Sequence, residues 1–263
     1  GSSANAFTYT LNSNTKAANY DITTTAGTLE VTALTDKVTV TITEHSSKET
    51  YDGKEKTVTG YDVEISNPLY TEADFTFSGN ATVKGTDAGT YNMELKASDF
   101  TNNSKNFSNV EFVIVDGTLT ISKRPVTLTS ATDSKVYDGT ALTNDEVTAG
   151  GDGFADGEGA SYDVTGTITE VGETANAFTY ILNEGTKADN YEITKVDGTL
   201  TVTEMTAKVT VTITENSGSY MYDGAEHTAT GYEVTNISND LYKTGDFTFS
   251  GNATVKGTDA GTY

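Results

Sequence analysis

Apolar and polar residues alternate over many short segments of this chain. Val38, Val40 and Ile42 alternate with threonines, which is the two-residue period of a strand with one buried face. Within the same stretch of about 85 residues, further strand-like runs cover residues 56–65, 74–78, 81–84, 91–95, 110–115 and 118–123. The chain shows no sustained pattern of helical period. The pattern therefore predicts an all-β protein built from short strands.

Turn residues separate these runs and indicate the type of module. Asp116-Gly117 lies between two runs and predicts a two-residue hairpin, because glycine tolerates the positive φ of such turns. About seven strands in about 85 residues predict a small antiparallel β-sandwich of immunoglobulin-like type. A β-grasp module is the alternative, with residues 96–100 supplying a helical turn.

The chain contains an internal sequence repeat. Residues 4–9 return as residues 175–180, residues 37–44 return as 208–215, and residues 75–91 return unchanged as 247–263. A shorter period lies within this one, because Tyr-Asp-Gly recurs at 51–53, 137–139 and 222–224, and Gly-Thr-Leu recurs at 27–29, 117–119 and 198–200. The repeat is therefore two related modules of about 85 residues each, here called A and B.

The repeats predict four segments. Residues 1–32 are the C-terminal part of a B module, residues 33–121 are an A module, residues 122–203 are a B module, and residues 204–263 are the N-terminal part of an A module. Arg124-Pro125 joins modules A and B without a flexible linker. Short junctions leave little freedom between modules, so we expect an elongated, fairly stiff rod.

Composition narrows the possible functions. The chain has 16 basic and 38 acidic residues, a net charge of −22, which argues against nucleic acid and anionic membranes as partners. It has no cysteine, which excludes disulfides, thiolate metal sites and cysteine nucleophiles. No apolar run approaches the ~20 residues of a membrane span, so we expect no membrane insertion.

The recurring motifs resemble a known family. The Tyr-Asp-Gly turns, the segments 19–23 and 190–194, and the closing Gly-Thr-Leu strands are together similar to the YDG and MBG repeat modules. These modules occur in large surface proteins and adhesins of bacteria, many of them Gram-positive. The resemblance implies an extracellular segment of a bacterial cell-surface protein, part of a longer polypeptide that is anchored elsewhere.

Two functions fit this resemblance. The first is a non-catalytic structural stalk or adhesin segment. The second is a ligand-binding module for a host glycan or protein, which should carry an exposed aromatic or apolar patch that the two A copies do not share. No enzymatic activity and no catalytic, cofactor-binding or metal site are expected.

Several residues are candidates for a functional site. In the Tyr-Asp-Gly motif we expect Asp to cap a turn, Gly to take the left-handed position and Tyr to pack with its hydroxyl at the surface. His45 is replaced by Asn216 in the other A copy, and His227 replaces Lys56, so neither position predicts catalysis.

Two further features concern ions and cross-links. Residues 151–158 resemble a calcium loop, but Phe154 stands where a ligand would be needed, so we expect a glycine-rich surface loop there. The net charge of −22 allows weak calcium binding by dispersed carboxylates elsewhere in the chain. Lys37 and Lys208 lie where a Lys–Asn cross-link would begin, but the closing strands contain no Asn. We therefore expect no such cross-link.

The two partial modules together make about one module of sequence. Each one alone exposes an unpaired strand edge, so one hypothesis is that the pieces complement each other between chains, head to tail. The alternative is a monomer whose sequence is cut at arbitrary points within the repeat.

Overall fold

The computed structural model describes residues 1–263 and consists mainly of short strands. Strands make up 45% of the residues, and no helix reaches seven residues. The predicted all-β fold class, with several small sheets consistent with β-sandwich modules, is confirmed. The structure contains no helix with the length and hydrophobicity of a membrane span.

The strands follow one another in chain order. The first twelve are β1 (Ser2–Asn5), β2 (Gly27–Glu30), β3 (Val38–Glu44), β4 (Ser47–Thr50), β5 (Lys56–Thr59), β6 (Tyr61–Ile65), β7 (Phe75–Phe77), β8 (Thr82–Gly85), β9 (Gly89–Asn92), β10 (Phe100–Asn102), β11 (Val110–Val115) and β12 (Thr118–Ser122). The other twelve are β13 (Arg124–Ser130), β14 (Asp133–Val136), β15 (Val147–Gly151), β16 (Ala160–Val164), β17 (Gly172–Asn176), β18 (Phe178–Leu182), β19 (Tyr191–Val196), β20 (Gly198–Thr203), β21 (Val211–Glu215), β22 (His227–Thr230), β23 (Tyr232–Ile237) and β24 (Thr254–Gly257). Five 3₁₀ turns cover Ala17–Asn19, Glu72–Asp74, Ala97–Asp99, Ala188–Asn190 and Thr244–Asp246.

The chain divides into two compact units. Unit 1 comprises Gly1–Val126, Asp152–Gly159 and Glu184–Glu192. Unit 2 comprises Thr127–Gly151, Ala160–Asn183 and Ile193–Tyr263. Unit 1 therefore holds the predicted A module together with two loops from the sequence of the predicted B module.

Unit 1 contains two three-stranded sheets, ordered β11-β3-β6 and β4-β12-β9, and the pairs β5-β8, β10-β7 and β1-β2. Val38, Val40 and Ile42 of β3 are fully buried, and Leu119 and Ile121 of β12 are almost fully buried. The alternation of apolar and polar residues thus places one face of each sheet in the core, as the sequence predicted. Rings of Phe75, Phe100 and Phe112 extend this core.

The sheets are mixed, which corrects the expectation of purely antiparallel modules. The first strand of the A module, β3, runs parallel to β11, and β4 runs parallel to β12. Strand β14 runs parallel to β20 in the same way. Parallel neighbours need a long connection, and the intervening part of the module supplies it. Sequence alternation marks which face is buried but does not state the direction of the neighbouring strand.

The hairpin predicted at Asp116-Gly117 is wrong. Strands β11 and β12 on either side of it belong to different sheets. The carboxylate of Glu44, 3% exposed, accepts hydrogen bonds from the backbone nitrogens of Leu95 and Gly117, each at 2.7 Å. A Cβ on Gly117 would lie 2.3 Å from the carbonyl oxygen of His45. Glycine is needed here because the backbones approach closely, not because φ is positive.

Two predicted strands have different limits in the structure. The run 56–65 is divided by Gly60, at φ 89°, into β5 and β6, which lie in different sheets. The run 91–95 ends as a strand at Asn92, and Glu94 has a φ of 65°. The helical turn considered at residues 96–100 is the 3₁₀ turn Ala97–Asp99.

Unit 2 contains sheets ordered β15-β13-β19 and β14-β20-β17, and the pairs β16-β18, β21-β23 and β22-β24. Leu142, Leu200 and Val202 form a buried cluster, against which Tyr137 and Ile168 pack. The closing strand β20 thus has the same role as β12 in unit 1, because each lies between two strands and buries its alternate apolar side chains.

Candidate functional site

The three Tyr-Asp-Gly turns share one local geometry. In each turn the Asp carboxylate accepts a hydrogen bond from the backbone nitrogen two residues later, at 2.9–3.0 Å. In each turn the glycine has a positive φ, at Gly53 (79°), Gly139 (74°) and Gly224 (75°). The motif recurs because this turn needs a short side-chain acceptor followed by a residue without a Cβ.

A nitrogen-bearing side chain contacts the Asp of every turn. The contacts are Lys56 to Asp52 at 2.6 Å, Lys135 to Asp138 at 2.8 Å, and His227 to Asp223 at 2.9 Å. The hydrogen bonds from Lys56 and Lys135 are the main cause of the lowered pKa of Asp52 and Asp138. His227 therefore supports a turn in the same way as Lys56, the residue it replaces.

The tyrosines of the motif differ in their surroundings. Tyr222 is 69% exposed, as expected for a turn residue at the surface. Tyr51 is only 4% exposed, so the expectation of a surface hydroxyl is wrong for this copy. Its hydroxyl donates a hydrogen bond to Oε1 of Glu158, in a loop from the B-module sequence. The Tyr-Asp-Gly turn at residues 51–53 therefore also contacts a loop that is distant in sequence.

Glu158 joins two tyrosines. Its Oε2 accepts a hydrogen bond from the hydroxyl of Tyr191 at 2.8 Å, and that hydroxyl accepts one from the backbone nitrogen of Ala155 at 3.0 Å. The rings of Tyr51 and Tyr191 meet edge to face with their centroids 5.5 Å apart, and Phe154 packs on Tyr191 at 5.1 Å. We call these four residues, Tyr51, Phe154, Glu158 and Tyr191, the Tyr51 cluster.

Burial changes the acidity of both tyrosines. Burial raises the pKa of Tyr51 to about 12, and the hydrogen bond to Glu158 acts in the same direction. Burial likewise raises the pKa of Tyr191 to about 12, and the hydrogen bond to Glu158 acts in the same direction. Both hydroxyls therefore stay protonated and act as donors throughout the physiological range.

Arg124 holds the loop 151–158 beside this cluster. Its Nε donates to the carbonyl oxygen of Gly153 at 2.7 Å, and another guanidinium nitrogen donates to the carbonyl oxygen of Asp152. A third hydrogen bond reaches the carbonyl oxygen of Tyr51 at 3.3 Å. The loop that resembled a calcium loop thus directs two of its carbonyl oxygens at a guanidinium. No group of three or more acidic or histidine side chains in the chain is arranged to hold a metal ion.

A second polar cluster lies on the loop 184–192. Asp87 accepts hydrogen bonds from Lys187 at 2.8 Å and from the side-chain amide of Asn190 at 2.9 Å. Asn190 is 1% exposed, and its Oδ1 accepts from the backbone nitrogen of Ala88 at 2.8 Å. The hydrogen bond from Lys187, followed by the one from Asn190, is the main cause of the lowered pKa of Asp87. We call Asp87, Lys187 and Asn190 the Asp87 cluster.

The same turn makes a comparable contact in unit 2. A Cβ on Gly139 would lie 2.6 Å from Cδ2 of Leu241, in the loop after β23. In unit 1 a Cβ on Gly53 would lie 3.5 Å from Cβ of Ala155. Two Tyr-Asp-Gly turns therefore face a loop from the sequence of the module that follows. The third, at Gly224, has open space around its glycine.

The other candidate residues have structural contacts. Nδ1 of His45 lies 2.8 Å from the carbonyl oxygen of Thr59, and Nδ2 of Asn216 donates to the equivalent carbonyl oxygen of Thr230 at 2.9 Å. This shared contact explains why Asn can replace His there. Lys37 forms an exposed ion pair with Glu111, and Lys208 is exposed.

Sequence reasoning did not predict the contacts made by the side chains of Arg124, Glu158 and Asp87. A partial indication was present, because Lys187, Asn190 and Tyr191 recur as Lys16, Asn19 and Tyr20. Repetition marked these residues as needed by every B module, but their partners lie far away in sequence.

A comparison with protein families identifies the domain type of one segment of the chain. Residues 37–123 match the family model of the MBG domain, so the resemblance to YDG/MBG-type modules is confirmed for this segment. MBG domains are in general non-enzymatic modules of surface proteins, with adhesin-like character. No curated protein matches the chain, and no solved structure matches it.

Proposed function

We propose that the chain is a non-catalytic stalk segment of a bacterial surface protein, located outside the cell. The observation that carries this proposal is the clamping of the Tyr-Asp-Gly turn of module A by two loops from the B-module sequence. A spacer needs each module to be fixed to the next, because a flexible junction would let the chain fold back on itself.

The contacts that hold these two loops against module A lie within unit 1. The Tyr51 and Asp87 clusters combine buried aromatic packing with hydrogen bonds to carboxylates, which are about twice as strong as neutral ones. Arg124 has a guanidinium with several donors in a fixed plane, so it holds two backbone segments at once. The role of these residues is mechanical, since each of them is directed at another protein group.

A distance measurement tests the stalk proposal. The chain has no cysteine, so spin labels attach only at two introduced sites, Glu64→Cys and Asp189→Cys, both exposed and both within unit 1. We expect one narrow distance distribution, which Tyr51→Ala broadens and the exposed control Tyr222→Ala does not. A broad distribution in the parent protein, or no effect of Tyr51→Ala, would contradict the proposal.

The cellular location needs its own test. Antibodies against this segment should label intact, unpermeabilised cells of the source bacterium, and brief protease treatment of those cells should remove the label. Labelling that needs permeabilisation would place the segment inside the cell and exclude an exposed stalk.

One observation favours the second candidate function, a module that binds a host glycan or protein. Tyr220 and Met221 are 59% and 91% exposed, whereas the corresponding residues of the first A copy are Glu49 and Thr50. These two apolar side chains are not shared by the two A copies. Binding on glycan and host-protein arrays that Tyr220→Ser and Met221→Ser abolish would support it.

A further inference from the structure

One carboxylate in the Tyr51 cluster holds the hydroxyls of two tyrosines. Oε1 of Glu158 accepts a hydrogen bond from Tyr51, and Oε2 accepts one from Tyr191 at 2.8 Å. The two rings meet edge to face, with their centroids 5.5 Å apart and an interplanar angle of 82°. Because both hydroxyls are directed at the same carboxylate, the hydroxyl-bearing ends of the two rings lie side by side.

No other tyrosine pair in the chain has this arrangement. The remaining aromatic contacts of tyrosines are with phenylalanine or histidine rings. Tyr51 and Tyr191 are also the only tyrosines whose hydroxyls donate to a carboxylate, because the other tyrosine hydroxyls donate to carbonyl oxygens. Ring contact and a shared base thus occur together at one place only.

We propose that Tyr51 and Tyr191 form a site of oxidative modification, at which a one-electron oxidant joins the two rings as dityrosine. Two phenol rings in contact, both hydrogen-bonded to one base, are the arrangement that this coupling requires. The inference concerns the chemistry of the Tyr51 cluster, so it can fail while the proposed stalk function stands.

The coupling removes two electrons and two protons in total. Each tyrosine loses one electron and its hydroxyl proton, and two equivalents of the one-electron oxidant are reduced. The two phenoxyl radicals then pair their unpaired electrons in one carbon–carbon bond between the ring carbons next to the oxygens. Each of these carbons gives up its hydrogen as a proton, and each oxygen takes up a proton, which restores two phenols.

Glu158 is the proton acceptor for both oxidations. A phenol that loses an electron becomes a strong acid, so oxidation is easiest where a base already accepts its hydrogen bond. Burial raises the pKa of both hydroxyls to about 12, so near neutral pH the reaction starts from the phenol and needs this acceptor. Glu158 is half-buried and follows the exposed residues Asp156 and Gly157, so it can pass each proton to water before it accepts the next.

Neighbouring contacts hold the two rings in place. Phe154 packs on Tyr191 with the ring centroids 5.1 Å apart, and the backbone nitrogen of Ala155 donates to the hydroxyl of Tyr191 at 3.0 Å. Arg124 fixes the same loop through the carbonyl oxygen of Gly153 at 2.7 Å. Restricted motion keeps two radicals together, which favours their reaction with each other.

Burial also selects the reaction partner. Tyr51 and Tyr191 are 4% and 3% exposed, so their radicals are shielded from a second molecule. An electron, unlike an atom, can leave a buried ring without direct contact with the oxidant. Tyr222 is 69% exposed, and its radical would couple by collision between chains. Coupling at the buried pair should therefore be independent of protein concentration, and coupling at exposed tyrosines should not.

The cross-link would join module A covalently to a loop of module B. Tyr51 and Tyr191 are far apart in sequence, and a covalent bond between distant residues lowers the conformational entropy of the unfolded chain. The modification should therefore raise the thermal midpoint of unfolding.

Photo-oxidation of the full chain tests the proposal. Ruthenium tris-bipyridine, excited by visible light with persulfate as its electron acceptor, is the one-electron oxidant. In dilute protein we expect dityrosine fluorescence in the monomer, a mass loss of two hydrogen atoms, and a cross-linked peptide pair that contains Tyr51 and Tyr191. Dimers alone, or links only between other tyrosines, would overturn the proposal.

Matched variants separate the roles of the rings and the base. Tyr51→Phe should abolish the intramolecular link, and Tyr222→Phe, the same change in an exposed turn, should leave it unchanged. Glu158→Gln keeps the size of the side chain but removes the base, so the initial rate of link formation should fall by about tenfold or more. A link that persists in Tyr51→Phe, or an unchanged rate in Glu158→Gln, would contradict the proposal.

A second measurement distinguishes loss of the base from loss of the ring contact in Glu158→Gln. Nuclear Overhauser contacts between the rings of Tyr51 and Tyr191 should persist in this variant, so that the slower reaction is due to the missing base. Loss of these contacts would mean that Glu158 only positions the rings, and its role as proton acceptor would be rejected.

Discussion

The hydroxyl of Tyr51 donates a hydrogen bond to the carboxylate of Glu158, a residue 107 positions further along the chain. One carboxylate oxygen of Glu158 serves Tyr51 and the other serves Tyr191. The Asp and Gly of this repeated turn motif explain its local geometry. Its Tyr makes a contact with a residue far away in the sequence. The sequence of one module is therefore constrained by the loop of the next.

Removal of this hydroxyl should weaken the junction without disturbing the turn. Tyr51→Phe keeps the ring contact with Tyr191 but leaves Glu158 with one partner fewer, so we expect a loss of about 1–3 kcal/mol in the free energy of unfolding. Urea denaturation of the full chain measures it. Tyr222→Phe changes the same atom in an exposed turn and should have no effect. A loss of similar size in that control would show that the turn itself, not the junction, depends on the hydroxyl.

Stability should fall at alkaline pH because of the same tyrosines. An unfolded tyrosine has a pKa of about 10, and burial raises the pKa of Tyr51 and Tyr191 to about 12. Between pH 10 and 12 the folded state therefore binds more protons than the unfolded state, so unfolding becomes easier as pH rises. In this window we expect the free energy of unfolding to decrease by about 1.4 kcal/mol per pH unit for each tyrosine. Below pH 10 the contribution of the two tyrosines to the free energy of unfolding should not depend on pH.

Denaturation at several pH values between 8 and 12 checks this expectation. The double variant Tyr51→Phe/Tyr191→Phe should show a shallower decline than the parent protein. Parallel curves for the two proteins would mean that these hydroxyls do not control alkaline stability.

Glu44 should be among the most sensitive polar positions of unit 1. Glu44→Ala would leave the backbone nitrogens of Leu95 and Gly117 without their acceptor in the core, at a cost of about 2–4 kcal/mol. The counterpart Glu215 is exposed, so Glu215→Ala should change stability by less than about 0.5 kcal/mol. Equal effects of the two substitutions in thermal or urea denaturation would be incompatible with this structure.

His45 should be replaceable by the residue that occupies the same position in the repeat. His45→Asn should leave the thermal midpoint unchanged, because Asn216 already makes the equivalent hydrogen bond to a strand carbonyl. His45→Ala removes that bond and should lower the midpoint. The hydrogen bond to Asp62 is the main cause of the raised pKa of His45, so its stabilising effect should be complete below the ordinary histidine pKa of about 6.5 and be lost as the pH rises above it. This pH dependence should disappear in His45→Asn. An Asn variant as unstable as the Ala variant would refute the shared role.

The alternation of Val38, Val40 and Ile42 with threonines was enough to predict β3 and its buried face, and the recurrence of Tyr-Asp-Gly was enough to predict its turn geometry. Both depend on interactions between residues close in sequence. The resemblance to MBG modules also came from the sequence, because the order and spacing of the motifs can be read without a structure.

The tertiary structure alone decided which strands pair and what each turn contacts. The parallel pairing of β3 with β11, the separation of β11 from β12 at Gly117, and the burial of Tyr51 against Glu158 all join residues distant in sequence. Periodicity records only whether a side chain faces the core or the solvent, and it does not record the direction or identity of the neighbouring backbone.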